Sequence, residues 1–417
     1  MAIVSAPMDL FIFASGQLLL SATVLGLTGP HSVIRHAVTP ILVGLCWSFV
    51  VLSMSEIPPL YASTLSGVMM CFFLNYVSMA FLSSWSFEAQ GPSSLLTKEK
   101  SSDEARDAAP KERPGTARAR ILWGFQSLFS FRDVNTPFEI NNVPHFQSDD
   151  PSYVPTKAAF LVRSTVVLGI CYLVIDFIES QPPPPDAAVI FSAQRLALSQ
   201  VTVPEVITRM AASAGFWLVL SSSIAGVASA VNMACVALDL SAVGDCRPMM
   251  GPVAEAYTIR GFWGKTWHQG TRKLFAALGT FIGDEVFVFR KGSPPNTYCK
   301  IFVTFFVSGL LHQVADVANG IPWAQSGSLK FFCVQACGIV VEDAVQLIYR
   351  SVSGARFGDP PRWWARLVGY VWTAFFLLFW TTPWWFYPTA ALNAGRPDAK
   401  LIPDALSLFR TLQTERG

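Results

Sequence analysis

The sequence has few charged residues and almost no excess of one sign. Only 14% of its 417 residues are Asp, Glu, Lys or Arg, and the formal net charge is +2. An ordinary soluble domain has roughly 25% charged residues, and a nucleic-acid-binding domain of the basic-patch kind has a clear positive excess. With 52% hydrophobic residues, the composition excludes both classes, excludes nucleic acid as a partner and predicts a membrane protein.

Histidine clusters and nucleotide-binding or metal-binding motifs are also lacking. The five histidines, His31, His36, His145, His268 and His312, are scattered, whereas a membrane di-iron enzyme needs about eight clustered ligands. No CxxC, GxGxxG, GxxxxGK[ST], GxSxG or HExxH string occurs. The residues therefore predict no metal site, no tightly bound cofactor and no site of the dinucleotide, P-loop, serine-hydrolase or zincin type.

Long hydrophobic runs are what the sequence has instead. A transmembrane helix needs about 20 predominantly apolar residues, and eight stretches qualify. They cover residues 8–27, 34–54, 60–83, 158–178, 206–238, 300–319, 328–349 and 364–387. The predicted fold class is all-α, a polytopic transmembrane helix bundle of about eight spans that forms one integral membrane domain over residues 1–417.

The positions of Lys and Arg predict how the chain is oriented. Most of these residues lie in the connections between spans three and four, five and six, and seven and eight. Positive flanking charge stays in the cytosol, so both termini are predicted to face the lumen, with the endoplasmic reticulum as the membrane. Residues 87–120, rich in charge of both signs, are predicted to form a flexible cytosolic linker, and residues 388–417 a C-terminal tail.

One histidine is predicted to lie deep in the membrane. His312 follows Lys300, at the cytosolic flank of its span, by roughly 18 Å of helix, and ionisable residues at that depth are costly and usually functional. A neutral imidazole accepts a proton near physiological pH. Asp316 follows one turn later on the same face and could orient the imidazole. The alternative is an ordinary hydrogen bond between helices.

A second cluster precedes this span, at Phe262-Trp263-Gly264-Lys265-Thr266-Trp267-His268-Gln269. Its two tryptophans are one helical turn apart and would form an aromatic wall. Four basic residues accompany it, Arg260, Lys265, Arg272 and Lys273. Basic side chains of this kind could bind the phosphates of an anionic donor arriving from the cytosol. The alternative is an interfacial aromatic belt with snorkelling basic side chains.

Three blocks together resemble a known family, the wax-synthase-like branch of the membrane-bound O-acyltransferases. They are the 262–269 cluster, Ser308-Gly309-Leu310-Leu311-His312-Gln313, and Arg132-Asp133-Val134-Asn135-Thr136-Pro137-Phe138-Glu139-Ile140-Asn141-Asn142-Val143-Pro144. The chain looks most like fungal O-acetyltransferases of terpenoid and meroterpenoid biosynthesis. The resemblance implies a central tunnel in which a cytosolic acyl-CoA, here acetyl-CoA, meets a hydrophobic alcohol from the bilayer or lumen.

The resemblance also implies residue roles. His312 matches the catalytic histidine of the family, and His268 matches a second signature position where many relatives have Asn. Asp133 stands where Gly is frequent, and Asn141 where Lys is frequent. The candidate substrate-binding and donor-binding residues are Asn142, Trp263, Lys265, Trp267 and Asp316.

The resulting hypothesis is direct acyl transfer. His312 accepts the proton of the acceptor hydroxyl while that oxygen attacks the thioester, with no acyl-enzyme. His268, Asn142 or a backbone amide would stabilise the oxyanion. Two alternatives remain open at this point: a wax-ester type of long-chain acyltransferase, and a non-enzymatic transporter. The transporter would use a proton or substrate path formed by His312, Asp316, Asp176, Glu342 and Asp343. The residues determine neither the acceptor alcohol nor the oligomeric state.

Overall fold

The fold is almost entirely helical. The computed structural model describes residues 6–93, 115–354, 361–394 and 400–402. Within these ranges the only sheet is an antiparallel pair of two-residue strands, β1 (Trp85–Ser86) and β2 (Gly91–Pro92). The predicted all-α class is confirmed. Most of the predicted linker at 87–120 and most of the predicted tail at 388–417 lie outside the described residues.

Thirteen α-helices are described in these ranges. They are α1 (Ala6–Leu27), α2 (Val33–Glu56), α3 (Pro59–Val77), α4 (Ala117–Phe129), α5 (Lys157–Glu179), α6 (Ala187–Ile190), α7 (Val203–Ala237), α8 (Ile259–Gly261), α9 (Arg272–Phe281), α10 (Pro294–Ala318), α11 (Ser328–Ser353), α12 (Trp363–Ala374) and α13 (Thr382–Ala394). Segments of π-helix follow four of them, at Ser78–Leu82, Phe262–Thr266, Ile282–Val286 and Phe375–Thr381. π-Helical turns are rare in proteins as a whole, but those that occur are often found at functional sites. The π-helix Phe262–Thr266 lies within the Trp-rich cluster at residues 262–269.

Eight helical segments of the described chain are long and apolar enough to cross a membrane, and each coincides with a predicted span. They are Met8–Leu27, Val33–Glu56, Pro59–Leu82, Lys157–Glu179, Val203–Ala237, Pro294–Ala318, Trp323–Ser353 and Trp363–Ala394. Hydropathy alone locates them because a helix in lipid must present about 20 apolar residues in succession. The protein is an integral membrane protein with a polytopic helical fold.

One compact unit contains residues Met1–Ile140 and Gly270–Trp323. In it, α1 packs against α2 and α4, α3 packs against α2 and α10, and α9 packs along α10. Two glycines bring α1 and α4 close together. A Cβ atom on Gly26 would lie 2.1 Å from the carbonyl oxygen of Arg120, and one on Gly124 would lie 2.1 Å from that of Ala22. Such small residues are typical of helix interfaces in membranes.

The first turn of α10 is fixed by polar contacts. Ser293 caps the helix by accepting from the backbone N–H of Asn296, and two prolines occupy the first helical positions, where no N–H is needed. Asp284 accepts from the Asn296 amide and from the Lys300 ammonium, both at 2.7 Å. These hydrogen bonds, first of all that of Lys300, lower the pKa of the Asp284 carboxyl. They anchor the helix that carries His312.

A buried arginine braces the same unit. Arg35, in α2, is fully buried. Its guanidinium donates to the carbonyl oxygens of Thr28 and Trp85, both at 2.8 Å, and to that of Ala80 at 3.4 Å. A charge within a membrane span is costly unless such partners satisfy it. Arg35 is thereby accounted for as a structural residue.

The other unit contains residues Asn141–Gln269 and Ala324–Gly417. Here α5 packs along α7, α13 packs against α7, α11 and α6, and α11 packs against the short α8. The long α7 begins with a capping box formed by Thr202 and Glu205, a usual start signal of helices. Arg209 in α7 is buried and donates to the carbonyl oxygens of Phe379 and Arg195, both at 2.6 Å.

Candidate active site

His312 has a defined hydrogen-bond partner within its own unit. Its Nδ1 lies 2.7 Å from the carbonyl oxygen of Ser308, one turn earlier in α10. A carbonyl oxygen only accepts hydrogen bonds, so Nδ1 carries a hydrogen in this arrangement, and in the neutral imidazole Nε2 then presents a lone pair. A histidine that acts as a general base needs one unprotonated ring nitrogen, here Nε2, to accept the proton.

The surroundings of His312 hold α10 in place. Leu311 is buried with Leu274 and Phe275 of α9, so the helix cannot rotate without disrupting this apolar contact. Asp316, one turn after His312, is buried. The Nδ1 hydrogen of His312 is directed to Ser308, whose carbonyl oxygen sequence analysis did not consider. The role of Asp316 in orienting the imidazole stays a prediction.

The Trp-rich cluster lies in the other unit and forms a tight turn. The short α8 runs directly into the π-helix Phe262–Thr266, which closes with the N–H of Trp267 donating to the carbonyl oxygen of Phe262 at 2.7 Å. Gln269, which is 1% exposed, donates from Nε2 to the carbonyl oxygens of Trp263 and Trp267. Residues 259–269, called the motif segment below, are thus restrained in part by hydrogen bonds within the segment.

The two tryptophans of the motif segment pack into an aromatic cluster. The ring of Trp267 meets that of Trp217 edge-on at 4.7 Å and stacks on Phe262 at 5.7 Å. Trp263 donates from its indole N–H to Oε1 of Gln335 at 3.2 Å. Such contacts are those of a packed protein interior. These contacts favour an aromatic wall inside the protein over the alternative of an interfacial aromatic belt.

Asn142 is joined to the motif segment. Its side-chain amide donates from Nδ2 to the carbonyl oxygen of Gly264 at 2.9 Å, across 122 residues of sequence. The residue has a left-handed backbone, with φ at +66°, a conformation in which Asn is enriched. Asn142 is a predicted binding residue or oxyanion donor, and the structure adds a contact that supports the motif segment.

His268 and Lys265 are the remaining predicted residues of the segment. The imidazole of His268 lies beside the ring of Trp267, with centroids 5.2 Å apart. Lys265 pairs with Glu255 at 2.7 Å, and both side chains are partly exposed. Exposed pairs of this kind contribute only about 0 to 1 kcal/mol, so the ammonium can exchange this partner for a phosphate at little cost.

The basic residues predicted near the motif segment differ in their surroundings. Arg260 pairs with Asp343 within its unit. Lys273, in the other unit, pairs with Asp133 at 2.8 Å, donates to the Ser130 carbonyl oxygen and lies 4.3 Å from the centroid of the Trp85 ring. Burial lowers the pKa of the Lys273 ammonium and raises that of the Asp133 carboxyl, while each charge opposes the shift of the other. Lys273 is therefore committed to an internal pair.

The structure brings the predicted site residues together in two groups. Asn142, Trp263, Lys265, Trp267 and His268 share one compact unit, and His312 and Asp316 share the other. Gly251, which no sequence motif singles out, lies against the motif segment. The N–H of Gly251 donates to the carbonyl oxygen of Thr266 at 2.9 Å.

A Gly251→Ala substitution is expected to lower activity at least tenfold. The new Cβ would lie 1.9 Å from the carbonyl oxygen of Lys265, so the backbone of the motif segment must move, and displacements of about 1 Å can cost 10²-fold in rate. Gly169→Ala in α5 is the control, because nothing lies within 4 Å of the Cβ it would add. The initial rates of the predicted acyl transfer, divided by the amount of folded protein, are compared for the two variants. Equal rates for the two variants would show that the close approach at Gly251 is irrelevant.

Comparisons with known proteins show which family the chain is similar to. The profile of the membrane bound O-acyl transferase family matches residues 246–334, a range that includes both the motif segment and His312. Three curated proteins are similar over much of their length. Acetyltransferase aurG of Calcarisporium arbuscula is 33% identical over 79% of this chain and 80% of its own. Acetyltransferase fsoF of Humicola fuscoatra is 30% identical over 91% of this chain and 96% of its own. Acetyltransferase ataH of Aspergillus terreus is 30% identical over 70% of this chain and 98% of its own.

Proposed function

Since the chain belongs to the membrane-bound O-acyltransferase family and is an acyltransferase, we propose that it moves an acetyl group from acetyl-CoA to a hydroxyl of a hydrophobic terpenoid or meroterpenoid. Acetyl is favoured over a long acyl chain because the three relatives are named acetyltransferases. The terpenoid acceptor follows from the resemblance to fungal enzymes of that biosynthesis. The acceptor is a small apolar alcohol that reaches the enzyme from the bilayer or lumen.

The observation that carries the proposal is the hydrogen bond between His312 and Ser308. With Nδ1 donating to a backbone carbonyl, the lone pair of Nε2 acts as the base. It takes the hydroxyl proton as the acceptor oxygen bonds to the acetyl carbon, and the carbon–sulfur bond breaks as coenzyme A leaves as thiolate. The imidazolium then returns the proton to that sulfur. General-base catalysis of this kind is worth about 10² to 10⁴ in rate.

The motif segment has the second role in this proposal. His268 stabilises the oxyanion of the tetrahedral intermediate. Trp263 and Trp267 form an apolar wall for a substrate, and Lys265 exchanges its pair with Glu255 for a donor phosphate. Asn142 supports the segment through Gly264, and Asp316 assists His312.

The enzyme resides in the endoplasmic reticulum with both termini in the lumen.

Contacts of two acidic residues weigh against the transporter alternative. Glu342 and Asp343 were candidates for a proton or substrate path. In the structure, however, Glu342 accepts hydrogen bonds from backbone N–H groups of the motif segment, and Asp343 forms an ion pair with Arg260 of the same segment. The residues therefore serve the segment that the family shares.

Microsomes that contain the protein are expected to convert terpenoid alcohols to acetate esters with release of coenzyme A. A panel of polycyclic terpenoid alcohols is incubated with acetyl-CoA, and in parallel with palmitoyl-CoA, and products are identified by mass spectrometry. Microsomes from cells with an empty vector are the control. Palmitate esters without acetates would favour the wax-ester type of enzyme. Uptake of the alcohol into proteoliposomes without coenzyme A release would favour a transporter.

A further inference from the structure

A carboxylate inside a membrane span is directed at the motif segment. Glu342 lies in α11 and is 6% exposed. Its Oε1 accepts from the N–H of Ile259 at 2.6 Å and from the indole N–H of Trp372 at 3.0 Å, and its Oε2 accepts from the N–H of Arg260 at 3.2 Å. Two of these three donors are the first two backbone amides of the motif segment.

Holding a backbone with a buried carboxylate is energetically unfavourable unless the carboxylate has several hydrogen-bond donors. Removing an ionisable group from water costs more than an ordinary hydrogen bond returns, and within a membrane such residues mark functional positions. Here the cost is met by three donors that converge on one group. An apolar residue would be the cheaper choice if α11 had only to pack against its neighbours.

A second side chain of α11 holds the segment further along. Gln335 lies seven residues before Glu342, two turns away on the same face of the helix. Its Oε1 accepts from the indole N–H of Trp263 and its Nε2 donates to Oγ1 of Thr381. Between them lies Gly338, on which a Cβ would come within 2.7 Å of the Ile259 side chain. This face of α11 therefore supports the start of the segment and its first tryptophan.

We propose that Glu342 is a positioning residue of the acyl transfer, which fixes the start of the motif segment and through it the placement of Trp263, Trp267 and His268. The inference rests on the proposed function. Glu342 touches no reacting atom. Its effect arises because the short α8 and the π-helix that follows have a single course only while the amides of Ile259 and Arg260 are held.

The test compares two variants that remove different hydrogen bonds of the same carboxylate. Glu342→Gln keeps the shape of the side chain but replaces one accepting oxygen with an amide NH2 group, so one bond to the segment is lost. Trp372→Phe removes the indole donor together with part of the ring, and leaves both backbone bonds to the carboxylate in place. Glu342→Gln is expected to lower kcat about 10²-fold with a small change in the KM for the alcohol. Trp372→Phe is expected to stay within threefold of the wild type.

Folding is measured beside activity, as the thermal midpoint of the purified protein in detergent. A loss of kcat in Glu342→Gln at a midpoint no lower than that of Trp372→Phe supports the positioning role. Equal kcat of the two variants at equal thermal midpoints overturns it. A loss of activity in Glu342→Gln that is fully explained by a lower thermal midpoint, with the kcat of the folded enzyme unchanged, overturns it as well. His312→Gln is assayed in the same series. If that variant retains full activity, the proposed mechanism fails, whereas a fully active Glu342→Gln beside an inactive His312→Gln refutes only the inference on Glu342.

Discussion

A His312→Gln variant is expected to lose about 10² to 10⁴ in kcat for acetyl transfer, the usual contribution of a general base. Glutamine has a similar reach, and its amide N–H can still donate to the carbonyl oxygen of Ser308, which lies 2.7 Å from Nδ1 of the histidine. It has no basic nitrogen to accept the hydroxyl proton. The helix α10 should therefore stay folded while the chemistry stops.

The measurement is the initial rate of acetate-ester formation, normalised to the amount of monodisperse protein after detergent extraction. His36→Gln is the matched control, since His36 lies in α2, is exposed and has its ring 4.7 Å from that of Phe81. That variant is expected to keep the wild-type rate. A His312→Gln enzyme with more than half of the wild-type kcat would exclude the imidazole as the base.

The spans could be predicted from the sequence because they depend on composition along a helix. Each of the eight candidate segments coincides with an apolar run, and lipid requires such runs whatever their neighbours are. The depth of His312 in the membrane, which was inferred from the rise per residue of its helix, stays a prediction. A resemblance over three short blocks added the motif segment, and the family profile over residues 246–334 agrees with it.

The partners of the polar side chains could not be predicted, because they depend on packing between distant parts of the chain. Asn142 donates to Gly264, 122 residues away, and the accepting atom is a backbone carbonyl, which every residue type offers. For the same reason, no residue pattern indicates that Ser308 fixes the imidazole of His312. Glu342 gave no signal beyond its place in a span, since its donors are mainly backbone amides.

One predicted departure from the family pattern has a structural counterpart. The resemblance implies Gly at the position of Asp133, and the φ of Asp133 is +48°, in the left-handed region that Gly adopts freely and that Asp and Asn tolerate best among other residues. Asp133 adopts this backbone conformation and also carries a carboxylate. That carboxylate is the partner of Lys273, and it converts a residue that appeared available for donor phosphates into half of a buried pair.

An Asp133→Asn variant is expected to be destabilised by about 3 to 5 kcal/mol, the usual cost of removing one partner from a buried ion pair. The side chains of Asp133 and Lys273 are only 4% and 10% exposed, so the ammonium would be left in place with no counter-charge. Asparagine tolerates the same left-handed φ, which separates the loss of charge from backbone strain. The thermal midpoint in detergent, read by tryptophan fluorescence, is expected to fall by several degrees.

The double variant Asp133→Asn with Lys273→Met is expected to regain most of that stability. Burial raises the pKa of the carboxyl and lowers that of the ammonium, in each case against the attraction of the partner charge, and buried pairs of this kind can be replaced by neutral groups at little cost. Lys157→Met together with Asp239→Asn is the matched control, because that pair is exposed and exposed pairs contribute about 0 to 1 kcal/mol. If Lys273 served the donor phosphates instead, the double variant would fold normally and show a raised KM for acetyl-CoA. An unchanged KM at a restored midpoint identifies the pair as structural.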